Sequence, residues 1–279
     1  MAARKLLLLV AFALLGDFAN AQMLDGFYVK QHNYTKQVIP QPSVREADVL
    51  WSKRVWRRID VRQKLNHQLY FPLDEIKDRQ CLYTVINRNL RDGLVSLYEE
   101  ETPGTCEFTK PIDPSKIEAV FGYTQTKEEQ DEITGDITKV DVDVAFTPAM
   151  LSFIDLKEDW YFDKEKSELR VQVIGLSLIF SYLDETGSVK KKQPGWLYFP
   201  ELQYVLANYE TYNISGNDSE RRSFLDVFLK RQFSSYITKE SNVYDRYIQD
   251  YKVEGLGQLA ESERIKGEMF RFEHDLWSY

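Results

Sequence analysis

The stretch SVREADVLWSKRVWRRIDVRQKLN, Ser43 to Asn66, decides how the first half of this chain is read. Ser43 and Glu46 have the spacing of a capping box, in which a hydroxyl and a carboxylate satisfy each other's backbone N–H groups at a helix start. Ala47, Leu50, Trp51, Val55 and Ile59 then recur at three- and four-residue spacing, which predicts a helix from Val44 to about Asn66 with one buried stripe. On that helix Arg54, Arg58 and Arg62 fall on one side, flanked by Lys53, Arg57 and Lys64. The formal net charge of the chain is −8, so a basic face stands out against it. Trp and Arg dominate binding hot spots, which makes Trp51, Arg54, Trp56, Arg58 and Arg62 candidate residues for docking an acidic partner. The plainer reading of the same residues is a solvated helix face.

Toward the C-terminus, Leu69 to Pro72 reads as extended, and a second helix runs from about Asp74 to Asp92, stopping at Gly93. A short strand over Leu94–Tyr98 and a short helix opened by Asp113-Pro114 follow. Residues 43–122 are therefore expected to be a mainly helical region. Residues 123–140 carry Glu128, Glu129, Asp131, Glu132 and Asp136 around Gly135, and read as an acidic linker or insertion. Beyond them the period changes to two. Asp141 to Phe146 alternates, and Leu169 to Phe180, rich in Val, Ile and Leu, reads as a central strand. Asp184 to Gly187 is a turn and Trp196 to Phe199 a short strand, with helices opening at Pro200, Ser219 and about Gly257, the last reaching Trp277. The expected fold class is α+β, with a helical N-terminal half and a mixed helix and antiparallel-sheet C-terminal half over 141–279.

Upstream, Arg4 and Lys5 precede the apolar run Leu6–Leu15 and the small-residue end Ala19-Asn20-Ala21. That is the pattern of a secretory signal peptide over residues 1–21, cleaved between Ala21 and Gln22. The run is too short for a membrane span, which needs about 20 apolar residues. No Cys follows the cleavage site to take a lipid, so direct membrane insertion is not expected. Residues 22–42, with Pro40 and Pro42, read as an extended N-terminal arm. The acidic balance disfavours nucleic acid as a partner. In an exported protein Cys81 and Cys106 are a possible disulfide, closing a loop worth roughly 3–4 kcal/mol. Equally, Cys81 is a small buried residue of a helix and Cys106 its unpaired counterpart in a loop.

Catalytic patterns are scarce. His32, His67 and His274 share no short ligand spacing, no nucleophile elbow or phosphate loop is present, and neither a metal nor another cofactor is expected. The one constellation with chemical content is Glu158, Asp159, Asp163 and Glu165 around Trp160-Tyr161-Phe162. Carboxylates beside an aromatic platform suit a carbohydrate-binding module or a carboxylate-dependent glycoside hydrolase. The same residues also suit a turn between two strands.

Several blocks resemble the gliding motility protein GldN (PorN) family of the type IX secretion system. They are Arg45 to Asp60, continuing to Leu65-Asn66 and Tyr70-Phe71-Pro72; Lys157 to Asp163 with Arg170 to Gly175; Trp196 to Glu201; Phe233 to Asn242; and Glu261-Ser262-Glu263 leading to Glu273 through Trp277. The resemblance implies a non-enzymatic periplasmic protein at the inner face of the outer membrane. It also implies a ring complex, homo- and hetero-oligomeric, with the outer-membrane lipoprotein GldK (PorK) and contact with the inner-membrane motor protein GldM (PorM). It supplies no catalytic residues.

Overall fold

Where the spacing predicts a helix, the backbone is extended: Val49–Asp60 is a twelve-residue strand, β1. The computed structural model describes residues 37–39, 43–76, 79–101, 106–130, 137–184, 186–214, 216 and 221–277, all within one compact unit, Asn33–Tyr279. The expected signal peptide with Ala21 and Gln22, and most of the expected 22–42 arm, lie outside the described residues. The expected capping box does not form. Glu46–Asp48 is a single 3-10 turn with no side-chain cap.

The physical reason is that this stripe fits both periods. Trp51, Val55 and Ile59 are four apart, so they share a face in a strand as well as in a helix. Val49, Trp51, Val55, Trp56 and Ile59 are also β-branched or aromatic, types that pack well on a pleated surface. Lys53 and Arg57 hide the alternation, because both point inward and find partners there: Lys53 Nζ lies 2.5 Å from Glu240, and Arg57 Nε donates to Ser235 Oγ at 3.0 Å. The α+β class stands, but the N-terminal half is not mainly helical; among the described residues its one long helix is Leu82–Arg91, and strands carry much of the rest.

In chain order the remaining strands are β2 (Leu97–Tyr98), β3 (Gly122–Gln130), β4 (Ile137–Ala145), β5 (Leu151–Asp163), β6 (Glu168–Leu183), β7 (Val189–Lys192), β8 (Trp196–Tyr198), β9 (Glu210–Thr211), β10 (Arg222–Ser223) and β11 (Tyr236–Glu240). Six of them join β1 in one seven-stranded antiparallel sheet in the order β11-β1-β5-β6-β8-β2, with β7 pairing β6. The expected central strand is β6, the longest of the sheet. On the inner face Ile59, Ile154, Leu156, Leu176 and Leu178 join one core with the helices Leu82–Arg91, Phe199–Asn208 and Phe224–Leu229. A second inner cluster puts Val55, Trp160 and Ile237 under Ile265 and Met269 of the C-terminal helix Gly255–Trp277. Asn66, fully buried, stitches two segments: its Nδ2 donates to Asp60 O and Ser234 O, and its Oδ1 accepts from Ser234 N.

The described parts of the acidic stretch form a separate strand pair, β3 on β4, from Gly122↔Ala145 to Gln130↔Ile137; residues 131–136 lie outside the described residues. The root of the pair is held by aromatic rings: Tyr123 stacks on Tyr182 at 4.5 Å, and Phe146 stacks on Phe180 at 4.5 Å with Tyr83 edge-on to Phe180 at 5.1 Å. Buried Tyr83 donates its hydroxyl to Phe146 O at 2.7 Å, and burial pushes its pKa up to about 12. The fold therefore favours the neutral phenol over an unfolded-state pKa of about 10. This contribution is complete below about pH 10 and is lost as pH rises through about 12, amounting to about 1.4 kcal/mol by pH 11. The stability difference between wild type and Tyr83→Phe is expected to shrink by that amount between pH 8 and pH 11 in urea titrations. A difference independent of pH would refute the assignment.

Candidate functional site

The five docking candidates are dispersed by the strand, and three of them meet on the outer face of the sheet. Trp51 points inward and stacks on Phe272 of the C-terminal helix, centroids 4.9 Å apart. Arg54, Trp56 and Arg58 alternate outward. Directly opposite on β5 stand Asp159 and Asp155, because the antiparallel register sets Arg54 against Asp159 and Arg58 against Asp155. Both pairs are bidentate, at 2.6 and 2.7 Å for Arg54 and 2.7 and 2.8 Å for Arg58. Arg62 lies past the strand end, mostly exposed, held to Asp60 at 3.1 Å and over the Phe153 ring at 5.6 Å.

Burial divides this face into a closed centre and open margins. Trp56, Cys106 and Trp196 form a third cluster with Tyr98 and Phe108 around it. Lys157, buried, donates to Cys106 O at 2.6 Å, and burial lowers its pKa. Lys239, fully buried, lies 4.7 Å from the Trp56 ring centroid and pairs with Asp245 at 2.6 Å. The Trp56 indole N–H is buried with no acceptor among the described residues, an arrangement that costs about 1–3 kcal/mol. Burial opposes the charge on Arg58, but the hydrogen bonds and charge of Asp155 outweigh it and raise the Arg58 pKa. Burial likewise raises the pKa of Tyr236 and Tyr247 beside it.

Trp56 walls two recesses. One, about 670 Å³, is bounded by Ser43, Val44, Arg54, Tyr161, Gln172 and Asn242. The other, about 580 Å³, is bounded by Arg58, Trp196, Tyr236, Tyr247, Gln193 and Gln258. The residues that sequence reasoning missed are the acceptors Asp155 and Asp159 in their pairing role and the cover formed by Lys157, Trp196, Lys239 and Tyr247. A signal for the first was present: two arginines four apart and two aspartates four apart are what an antiparallel pair of strands needs to neutralise one face.

The carboxylates around Trp160 do not converge on one point. They belong to β5 and the turn after it, which alternate them between faces. Glu158 is fully buried on the inner face, where Arg231 grips it at 2.9 and 3.2 Å and Trp160 Nε1 donates to it at 3.1 Å. Trp160 is itself buried, with the Arg231 guanidinium 5.2 Å from its ring centroid. Asp159 faces outward to Arg54. Asp163 accepts from the N–H groups of Glu165 and Lys166 and shapes the turn into β6, while Glu165 is exposed. Cys81 and Cys106 are free thiols in separate clusters. Cys81 caps the helix Leu82–Arg91 by accepting from Thr84 N. Among the described residues no group of three or more His, Cys, Asp or Glu side chains could hold a metal ion.

The Arg-Trp strand, β5 and β6, the Trp196 strand and the C-terminal helix are the elements that a family model spans. The model for gliding motility associated protein GldN matches residues 44–278. The chain belongs to the GldN family. The match includes the whole sheet and ends one residue past the C-terminal helix. Membership makes the chain a component of the gliding motility and type IX secretion machinery. No curated protein matches it significantly. No described helix of this GldN-family chain is long and apolar enough to cross a membrane.

Proposed function

We propose that this GldN-family chain is a non-enzymatic structural component that works in the periplasm at the inner face of the outer membrane. There it assembles into a ring with the outer-membrane lipoprotein GldK (PorK) and touches the inner-membrane motor protein GldM (PorM). The observation that carries the non-enzymatic part is where the acidic side chains go. Glu158, Asp155, Asp159 and Asp163 are each engaged by an Arg or by backbone N–H groups of this same chain. A hydrolase needs a pair of carboxylates converging on open space, and this cluster has none. For partner capture the accessible charges among the five candidates are Arg54 and Arg62, whose side chains keep 44% and 73% of their exposure; Trp56 and Arg58 are closed off within that face, and Trp51 is engaged on the opposite side of the sheet.

A tagged copy recovered from cell envelopes in mild detergent is expected to bring the lipoprotein and the motor subunit with it in large particles. Recovery of a lone chain would overturn the ring assignment. Broad glycan screening is expected to yield neither binding nor turnover; either one would restore the carbohydrate reading.

A further inference from the structure

We infer that the open edge of β6, Glu168–Ile174, joins two copies of this chain by antiparallel strand pairing. β6 pairs β5 along nearly its whole length, but on its other side β8 takes only Gly175–Ser177 and β7 only Phe180–Leu183. Among the described residues nothing pairs Glu168–Ile174 on that side. The pairing stops at a bulge, since Lys157 opposes Gly175 while Glu158 opposes Val173, leaving Ile174 extra.

Elsewhere this sheet protects its edges in the usual ways. β1 pairs β11 only over Val55–Arg58, and the stretch it leaves unpaired on that side, Val49–Lys53, carries Lys53. β7 carries Lys190, Lys191 and Lys192. β2 is two residues long and is bridged by Pro111. β11 is covered by the C-terminal helix, whose Ser262 hydroxyl accepts the Ile237 N–H at 2.7 Å, and Lys239 bridges Tyr247. The β6 segment has no Lys, no Pro and no helix pairing its backbone. Its one acid and one base, Glu168 and Arg170, pair with each other.

The segment is also complementary to itself. With a two-fold axis at Val171, Val171 faces Val171, Leu169 faces Val173 and Arg170 faces Gln172 of the second copy. The apolar pairs fall on the inner face, where Leu169 and Val171 already pack on the second core cluster. The polar pairs fall on the outer face, where Arg170 opposes Tyr161 and Gln172 opposes Asp159. No like charges meet in this register, and an isologous contact of this kind closes on itself. It is a property of the purified chain and does not depend on any envelope partner.

The test is the association state of the mature chain by sedimentation, with two charge variants. R170E/Q172E places Glu opposite Glu twice, and Q172K places Lys opposite Arg twice; each is expected to weaken self-association about tenfold or more. Mixed together, the two variants present Glu to Lys and Glu to Arg, and are expected to re-form a heterodimer. That recovery separates interface loss from misfolding. V171C is expected to cross-link copy to copy, with Cys81 and Cys106 buried and silent. A monomeric wild type, variants that associate like wild type, a mixture that stays apart, or no V171C cross-link would each overturn the inference.

Discussion

Replacing Arg231 with glycine is expected to destabilise the protein by about 2–4 kcal/mol, although glycine is the residue its backbone favours. The helix Phe224–Leu229 ends in a Schellman arrangement, with Gln232 N donating to Val227 O and Arg231 N to Phe228 O. Arg231 sits at the left-handed position of that motif, φ 52°, where helices ordinarily place Gly and where another residue costs about 1–2 kcal/mol. The side chain explains why arginine stands there. Its guanidinium is the bidentate partner of the fully buried Glu158 and packs over Trp160 and Phe233, 5.2 and 5.4 Å from the ring centroids. Stripping a buried carboxylate of its partner costs about 3–5 kcal/mol, so the ion pair outweighs the backbone relief. The urea midpoint should fall with little change in slope. Adding Glu158→Gln in the same chain should recover part of the loss, because the stranded charge is gone. A glycine variant as stable as wild type would show that the pair does not hold this cluster together.

The second large effect separates two arginines that look alike in the sequence. Arg58→Glu is expected to cost about 3–5 kcal/mol, because it faces a new carboxylate against Asp155, itself only 7% exposed, across a closed pair. Against a total stability of about 5–15 kcal/mol, that brings a domain near unfolding. Arg54→Glu should cost about 1 kcal/mol or less, since solvent screens that more exposed pair. Thermal midpoints by circular dichroism check the order, and equal losses at the two positions would refute it. For function the consequence is practical. Loss of partner capture reports on the docking face only when Arg54 or Arg62 is reversed; in Arg58→Glu it reports on folding.

The sequence carried the α+β class, a strand over Leu169–Phe180 that is flanked on both sides only from Gly175 on, the stop at Gly93, where φ is +71°, and the C-terminal helix nearly to its ends. It misled at Val49–Asp60 because the apolar stripe is spaced by four, which both periods allow, and because the inward Lys53 and Arg57 break the alternation that marks a strand. Their partners Glu240 and Ser235 lie far along the chain, so no local window contains the resolution. The β3–β4 pair was obscured for a related reason. Its acids suppress hydropathy, while the β-forming Thr124, Thr126, Val140, Val142 and Val144 are divided between two arms. At the candidate site the arginines were recognisable as a set but their aspartates were not, since pairing required knowing that β1 runs antiparallel to β5. Orphan features such as the buried indole N–H of Trp56 depend on three-dimensional packing alone.

The long ladder that joins β1, β5 and β6 also sets how the chain responds to being pulled. A tether that draws on the segment before Val49 tugs β1 along its own length, between β5 on one side and β11 on the other. The cross-strand bonds then resist together in shear instead of parting one after another, and the paired charges of Arg54 with Asp159 and Arg58 with Asp155 act as cleats against sliding. Tension applied across the strands, at the short β2 end, would instead peel the sheet one residue at a time. A part of a moving and secreting machine built this way is stiff along one axis and yielding along another, so the direction of its attachment points governs how much force it can pass on.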